Sequence, residues 1–181
     1  MEYAIKVKGL TKHYPDFMLD HISFQIPAGS IVGFIGENGA GKTTTIKALL
    51  DLIHPDEGKV RILEHEDGGC EKDLKEEIGV VLDASYFPDN LKVPHINRIM
   101  RQMYRNWETQ KFLDYCRRFH LPENKTVKEF SRGMKMKLSI AVALSHKTRL
   151  LILDEATSGL DPIIRNEILD IFLEFIQEED H

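Results

Sequence analysis

Ile31-Val-Gly-Phe-Ile-Gly-Glu-Asn-Gly-Ala-Gly-Lys-Thr-Thr-Thr-Ile-Lys-Ala-Leu-Leu50 is the stretch from which the rest of the chain is read. Its apolar start, Ile31 to Ile35, predicts a short buried strand. A glycine-rich turn follows, then a helix with Ile46, Leu49 and Leu50 on its inner face. The turn fits G-x-x-x-x-G-K-[ST] at Gly36, Gly41, Lys42 and Thr43. Glycines let successive backbone amides turn into one concave nest, and the helix N-terminus adds its partial positive charge at the same place. The chemistry is phosphate binding. Lys42 can reach β- and γ-phosphates, and the Thr43 hydroxyl can ligate Mg²⁺. Gly36, Glu37, Asn38, Gly39, Ala40, Gly41, Lys42, Thr43 and Thr44 are therefore the candidate phosphate-binding residues. A chance glycine turn between a strand and a helix is the alternative, and four fixed positions in the right context argue against it.

The chain upstream reads as two half-buried strands. Ile5, Val7 and Leu10 alternate with Lys6 and Lys8, and Ile22, Phe24 and Ile26 share one face of the next segment. Downstream, His54-Pro55-Asp56-Glu57-Gly58 stops the helix. Val60 and Ile62 mark another strand. Ile78-Gly-Val-Val-Leu82 is a second buried strand, ending at Asp83. From about Pro88 to Lys147 the period changes to that of helices. Ile96, Ile99, Met100, Met103 and Tyr104 form an apolar stripe, with Asn97, Arg98, Arg101 and Arg105 opposite. Phe112, Leu113, Cys116 and Phe119 mark a second helix, and Met134, Leu138, Ala141 and Val142 a third. Such stripes ordinarily face a core. The arginines are either a solvated face or a docking surface.

The chain then returns to strand. Leu150-Leu-Ile-Leu153 is apolar throughout, as a central parallel strand is, and it ends in Asp154 and Glu155. Carboxylates at the C-terminal end of such a strand sit where open α/β sheets bind ligands. Asp154 can share a Mg²⁺ with Thr43, and Glu155 can orient and polarise an attacking water. Asp161-Pro162 starts the last helix, whose stripe is Ile164, Ile168, Ile171, Phe172 and Phe175.

With 181 residues, 42% hydrophobic and 29% charged, the composition is that of an ordinary globular protein able to bury a core. The net charge of −5 lacks the basic footprint of a nucleic-acid binder. Cys70 and Cys116 have no metal-ligand spacing, which fits a reducing compartment. No signal peptide or membrane-length apolar run is recognisable.

Taken together, these motifs resemble the nucleotide-binding domain of ATP-binding cassette (ABC) transporters. The likeness is carried by Gly36–Thr43, by Leu150–Glu155, by Ser158-Gly-Leu-Asp161 in the place of the family's D-loop, and by Phe130-Ser-Arg-Gly-Met-Lys135 in the place of its signature. The resemblance implies an α/β P-loop NTPase fold with a mostly parallel core sheet, an N-terminal antiparallel β subdomain and an inserted helical subdomain. The core would be residues 1–86 plus 148–181, and the helical insertion 87–147. It implies Mg²⁺ with ATP as cofactor, and a second cassette packed head to tail. Ser131, Arg132, Gly133 and Met134 would then face the other subunit's ATP. Tyr14 would stack on adenine, Glu155 would be catalytic, and Asp161 would act in the D-loop. The expected partner is a multi-span membrane permease, at the cytoplasmic face of the cell membrane, with no nucleic acid.

Four departures from the family pattern stand out. Arg132 and Met134 replace a glycine and a glutamine of the usual signature. Asp83 stands where a glutamine that senses Mg²⁺ and the membrane subunit is usual. His181 follows an acidic helix end without the strand that carries the family's switch histidine, so it is not given that role, and the chain reads as C-terminally truncated. Two other readings are kept. One is a soluble cassette ATPase acting on DNA or ribosomes, and the other a nucleotide-binding fragment that does not hydrolyse.

Overall fold

In the computed structural model, which describes residues 2–63, 65–66, 72–82, 87–154 and 160–177, the chain opens on a long antiparallel hairpin. β1 (Tyr3–Tyr14) and β2 (Phe17–Pro27) are joined by a turn at Pro15-Asp16. β3 (Glu57–Ile62) pairs with the other edge of β1, and the short β4 (His65–Glu66) pairs with β3, giving the order β2-β1-β3-β4. Period-2 alternation buries Ile5 and Val7 and would next bury position 9. Instead the register shifts between Val7 and Leu10, where Gly9 takes φ +62°, and Leu10 becomes the buried residue. Gly58 (φ +95°) lies directly against this bulge. A Cβ there would sit 2.4 Å from the Gly9 carbonyl oxygen. Leu19, Ile46, Leu49, Val60 and Ile62 complete this core, Ile46 and Leu49 coming from α1 (Lys42–Leu49).

The described residues form two compact units, one within Met1–Leu74 with Ile176–His181 and the other within Lys75–Phe175. The second unit holds a parallel pair, β5 (Ile78–Val81) with β6 (Leu150–Leu153), in the register Ile78↔Leu150 to Val81↔Leu153. α2 (Lys72–Glu77) leads into β5, and the same unit holds α3 (Val93–Met103), α4 (Thr109–Arg118), α5 (Arg132–Ala143) and most of α6 (Pro162–Gln177). Its core is built from Ile96, Phe112, Leu138, Ile140, Ile168 and Ile171. Gly79 is what lets β5 meet α5. A Cβ on it would lie 2.8 Å from the Ala143 carbonyl oxygen and 2.9 Å from Thr148 Cγ2. The α/β class, with an antiparallel N-terminal sheet, a parallel sheet and helices, is as expected from the sequence.

Two local expectations are corrected. The buried strand expected at Ile31–Ile35 is not formed. Residues 30–37 have no regular secondary structure, and Ile35 is 98% exposed. A parallel strand is held by ladder bonds to its neighbours rather than by its own composition. Among the described residues the parallel ladder runs only between β5 and β6. Phe34 still finds an apolar neighbour, with its ring edge-on to Phe24 at 5.0 Å. The α3 stripe is also narrower than expected. Ile96 is fully buried and Met100 and Tyr104 are half-buried, but Ile99 is 37% and Met103 60% exposed. Only one side of α3 is covered, and Arg105 lies beyond the helix end.

Candidate functional site

The glycine loop carries the most developed local geometry. Ala40 N–H donates to the Glu37 carbonyl at 3.2 Å, closing a tight turn. Gly39 (φ +85°) and Gly41 (φ +90°) adopt the left-handed backbone that glycine takes without strain. Gly41 is doubly constrained, because a Cβ there would lie 2.8 Å from Leu19 Cδ1. The loop therefore rests on β2 before it enters α1. Thr45 locks that entry, its N–H and Oγ1 donating to the Gly41 carbonyl at 2.8 and 2.9 Å. Glu37, Asn38, Gly39, Ala40 and Thr43 are exposed, and Lys42 and Thr44 are half-buried.

No side chain caps the first turn of α1, and that turn holds no acidic residue. Its leading amides are thus left to solvent or to an anion. Lys42 Nζ folds back over the loop and donates to the Gly36 carbonyl at 2.7 Å and the Glu37 carbonyl at 2.9 Å. An ammonium is in this way held over a rim of backbone groups beside uncapped amides, an arrangement suited to a polyphosphate. The hydroxyl of Thr43 and the carboxylate of Asp154 are hard oxygen donors, the kind Mg²⁺ takes.

Tyr14 stands at the tip of the β1–β2 hairpin, 42% exposed, its ring 6.4 Å from Phe17. The strand end that carries it is pinned by Asp56. That carboxylate accepts from Lys12 Nζ at 2.8 Å and from His13 N–H at 2.7 Å, with His13 Nδ1 at 3.2 Å. The Lys12 and His13 donors hold the Asp56 carboxyl well below the usual range, at about 2.

In the second unit, Asp154 N–H donates to the Val81 carbonyl at 2.9 Å, carrying the β5–β6 ladder one step further. Its half-buried side chain is thereby held at the C-terminal end of β6. Ser131 is the N-cap of α5, where its Oγ accepts from Met134 N–H at 3.2 Å. Gly133 is buried against α6, since a Cβ there would meet Ile164 Cδ1 at 2.9 Å. Ser131 and Arg132 are exposed and Met134 is half-buried. The approach to this helix end is rigid. Thr126 and Glu129 form a capping box on the 3₁₀ turn Val127–Glu129, and Phe130 is buried. Asp161 caps α6 instead of standing free, as its Oδ1 accepts from Ile163 N–H at 2.9 Å. Asp83, Glu155, Ser158 and Gly159 lie outside the described residues.

Two polar groups escaped the reading of the sequence. Glu76 is buried, and its carboxylate accepts from Arg105 N–H at 2.9 and 3.1 Å and from Asn106 N–H at 3.3 Å. Lys137, inside α5, pairs with Glu167 of α6 at 2.7 Å. Both links join positions about 30 residues apart, so no local spacing betrays them.

The family model described as "ABC transporter" matches residues 19–158. The chain is 39% identical over 167 residues to the bacitracin transport ATP-binding protein BcrA of Bacillus licheniformis, covering 90% of this chain and 54% of that protein. It is 36% identical over 174 residues to the Nod factor export ATP-binding protein I of Rhizobium leguminosarum bv. viciae, covering 91% and 55%. The chain thus spans little more than half the length of these relatives. Among solved structures, an ATP-binding subunit of an ABC transporter superposes with a TM-score of 0.85 at 27% identity, covering 96% of this chain and 75% of that one. A post-hydrolysis dimer of an ATP-binding cassette bound to ADP and Pi, at 22% identity and a TM-score of 0.82, shares the fold.

Proposed function

The chain belongs to the ABC transporter family, and from that premise we propose that it is the ATP-hydrolysing cassette that powers a separate multi-span membrane permease. The observation that carries this reading is the glycine loop. Its left-handed Gly39 and Gly41, the uncapped first turn of α1 and the inward-folded Lys42 together form a cradle for a nucleotide polyphosphate. The Rhizobium relative is named for export, and export is the direction proposed here.

Residues 1–86 with 148–181 are the nucleotide-binding core in this reading, and 87–147 the helical insertion. Gly36 to Thr44 embrace the phosphates, and Tyr14 offers its exposed face to adenine. Thr43 and Asp154 would hold Mg²⁺, with Asp83 a further carboxylate toward it. Bound Mg-ATP supplies the phosphoanhydride bond and the cation that shields its charge. Glu155 would orient the attacking water and take its proton while the new bond to the γ-phosphorus forms and the bond from that phosphorus to the β–γ bridging oxygen breaks, ADP leaving with that oxygen. Ser131 and Gly133, flanked by Arg132 and Met134, present the α5 N-terminus to the ATP of a second cassette, and Asp161, which caps α6, acts as the D-loop aspartate. The loop of residues 87–91 and the exposed Arg98 and Arg101 of α3, with Arg105 just past its end, are the surface offered to the permease, at the cytoplasmic side of the membrane.

Glu155→Gln tests this reading. The variant keeps the shape of the side chain but not its basicity. It should retain ATP, form a stable dimer by light scattering only when Mg-ATP is present, and lose about 10²–10⁴-fold in turnover. Wild-type turnover by Glu155→Gln would refute the assignment.

A further inference from the structure

Glu76 and His146 meet in the interior of the second unit, at the ends of three elements. His146 follows α5 and is 2% exposed. Its Nδ1 lies 2.8 Å from the Glu76 main-chain carbonyl. A carbonyl only accepts, so Nδ1 carries the proton and Nε2 is the bare nitrogen. The imidazole stacks on Tyr104, just past α3, at 4.2 Å and 11°. Thr148 Oγ1 is 3.3 Å from both ring nitrogens, and its own proton goes to the Ala143 carbonyl at 2.5 Å. Glu76, 5% exposed as a residue, meanwhile uses its carboxylate to accept from the Arg105 and Asn106 amides that follow α3. One residue thus ties the end of α3 through its side chain and the loop after α5 through its backbone. It does so two residues before β5 begins.

We infer that His146, Glu76 and Tyr104 form a pH-sensitive latch that holds the end of α3 against the start of β5, closed while the imidazole is neutral and loosened when it takes up a proton. A second proton would sit on Nε2, whose nearest hydroxyl is shared equally between the two ring nitrogens. The groups that face the ring pull in both directions. The Glu76 carbonyl and carboxylate favour the cation, as does the face of Tyr104. Burial and the charge of Lys111, from α4, oppose it. Burial is the largest of these, so the imidazole gains its proton below the ordinary histidine value of 6.5. Burial and the nearby Glu76 charge also push the Tyr104 hydroxyl up, so Tyr104 stays neutral throughout this range. The latch rests on these contacts and on the burial of the ring. Only its consequence for transport would rest on α3 being the docking helix.

The chain carries its own reporter. Trp107 is the single tryptophan. It stacks on the other neighbour of this cluster, Tyr104, at 6.3 Å and 26°, and its Nε1 donates to Asn97 Oδ1 on α3 at 2.8 Å. Trp107 emission of the full chain should therefore titrate once between pH 8 and 5, with a midpoint below 6.5 and unchanged far-ultraviolet dichroism. His146→Gln keeps a donor toward the Glu76 carbonyl and should abolish that transition. A flat wild-type curve, or the same transition in His146→Gln, would overturn the latch. If the variant does not fold, the NMR titration of the assigned His146 Cε1 proton in the wild type decides. A midpoint shared with the Trp107 transition upholds the latch, and one that differs from it overturns it.

Discussion

Lys42→Ala is the change that bears most directly on the nucleotide reading. In the free chain the ammonium donates to the Gly36 and Glu37 carbonyls at 2.7 and 2.9 Å. Those carbonyls belong to exposed residues. Water replaces the ammonium there at little cost, so unfolding free energy should move by no more than about 0.5 kcal/mol. Binding is different. When a polyphosphate enters, the ammonium exchanges two neutral carbonyl partners for anionic oxygens, and each charge-assisted bond is stronger than the one it replaces. A hydrogen bond to a charged partner contributes about 1.5–3 kcal/mol net. The site is open to solvent, so one such increment is the fair allowance for the pair. At about 1.4 kcal/mol per tenfold, affinity for Mg-ATP should fall by roughly 10- to 150-fold. Calorimetric titration of wild type and variant, alongside urea denaturation of both without nucleotide, checks the two halves together. Equal affinities would remove Lys42 from the site. A large loss of stability would show instead that the lysine serves the fold of the loop.

Three further outcomes follow from the packing and the charges. Gly79→Ala drives a methyl group to within 2.8 Å of the Ala143 carbonyl oxygen, which cannot yield without moving α5, so it should cost about 1–3 kcal/mol in urea denaturation; Gly33→Ala, with nothing within 4 Å, should be nearly neutral. Reversing Arg98 and Arg101 to Glu should weaken assembly with the permease, measured by co-purification, and leave ATP affinity unchanged. Asp56 has its carboxyl depressed to about 2, so the stability it contributes is present above the unfolded carboxylate value of 3.8 and is lost as pH falls through about 2. Unfolding midpoints should drop between pH 5 and 2.5, less so in Asp56→Asn. The Glu129 and Glu174 carboxyls, lowered by their Thr126 and Arg118 partners, act in the same direction.

What the sequence made legible was what depends on neighbours in the chain. The β1, β2 and β3 strands follow from period-2 alternation, and the helices from their stripes. The left-handed Gly39 and Gly41, the Ser131 cap and the Asp161 cap follow from residue types that suit those conformations almost anywhere. Composition alone reads Ile31–Ile35 as a strand and Ile99 and Met103 as core. Each of these judgements concerns what covers a residue, and cover comes from distant chain. The bulge at Gly9 belongs with them. Nothing in Val7-Lys8-Gly9-Leu10 says that Leu10 and not Gly9 turns inward until Gly58 is brought against it from 49 residues away.

The same distinction explains why the candidate site was readable only in part. A phosphate loop is one contiguous turn of chain, so spacing alone picks out Gly36, Gly41, Lys42 and Thr43. The Glu76–His146 link closes over 70 residues, and neither residue sits in any motif. Its recognition depends on seeing that a buried carboxylate and a buried imidazole share one residue's side chain and backbone. The physical demand on such groups is strict, because a buried polar atom without a partner costs about 1–3 kcal/mol. Glu76 meets that demand with three amide contacts and His146 with one carbonyl, which fixes the tautomer of the ring. A neutral ring satisfied at Nδ1 has no use for a second proton while it stays buried. That constraint makes His146 the titrating group to watch when the α3 end of this unit is probed.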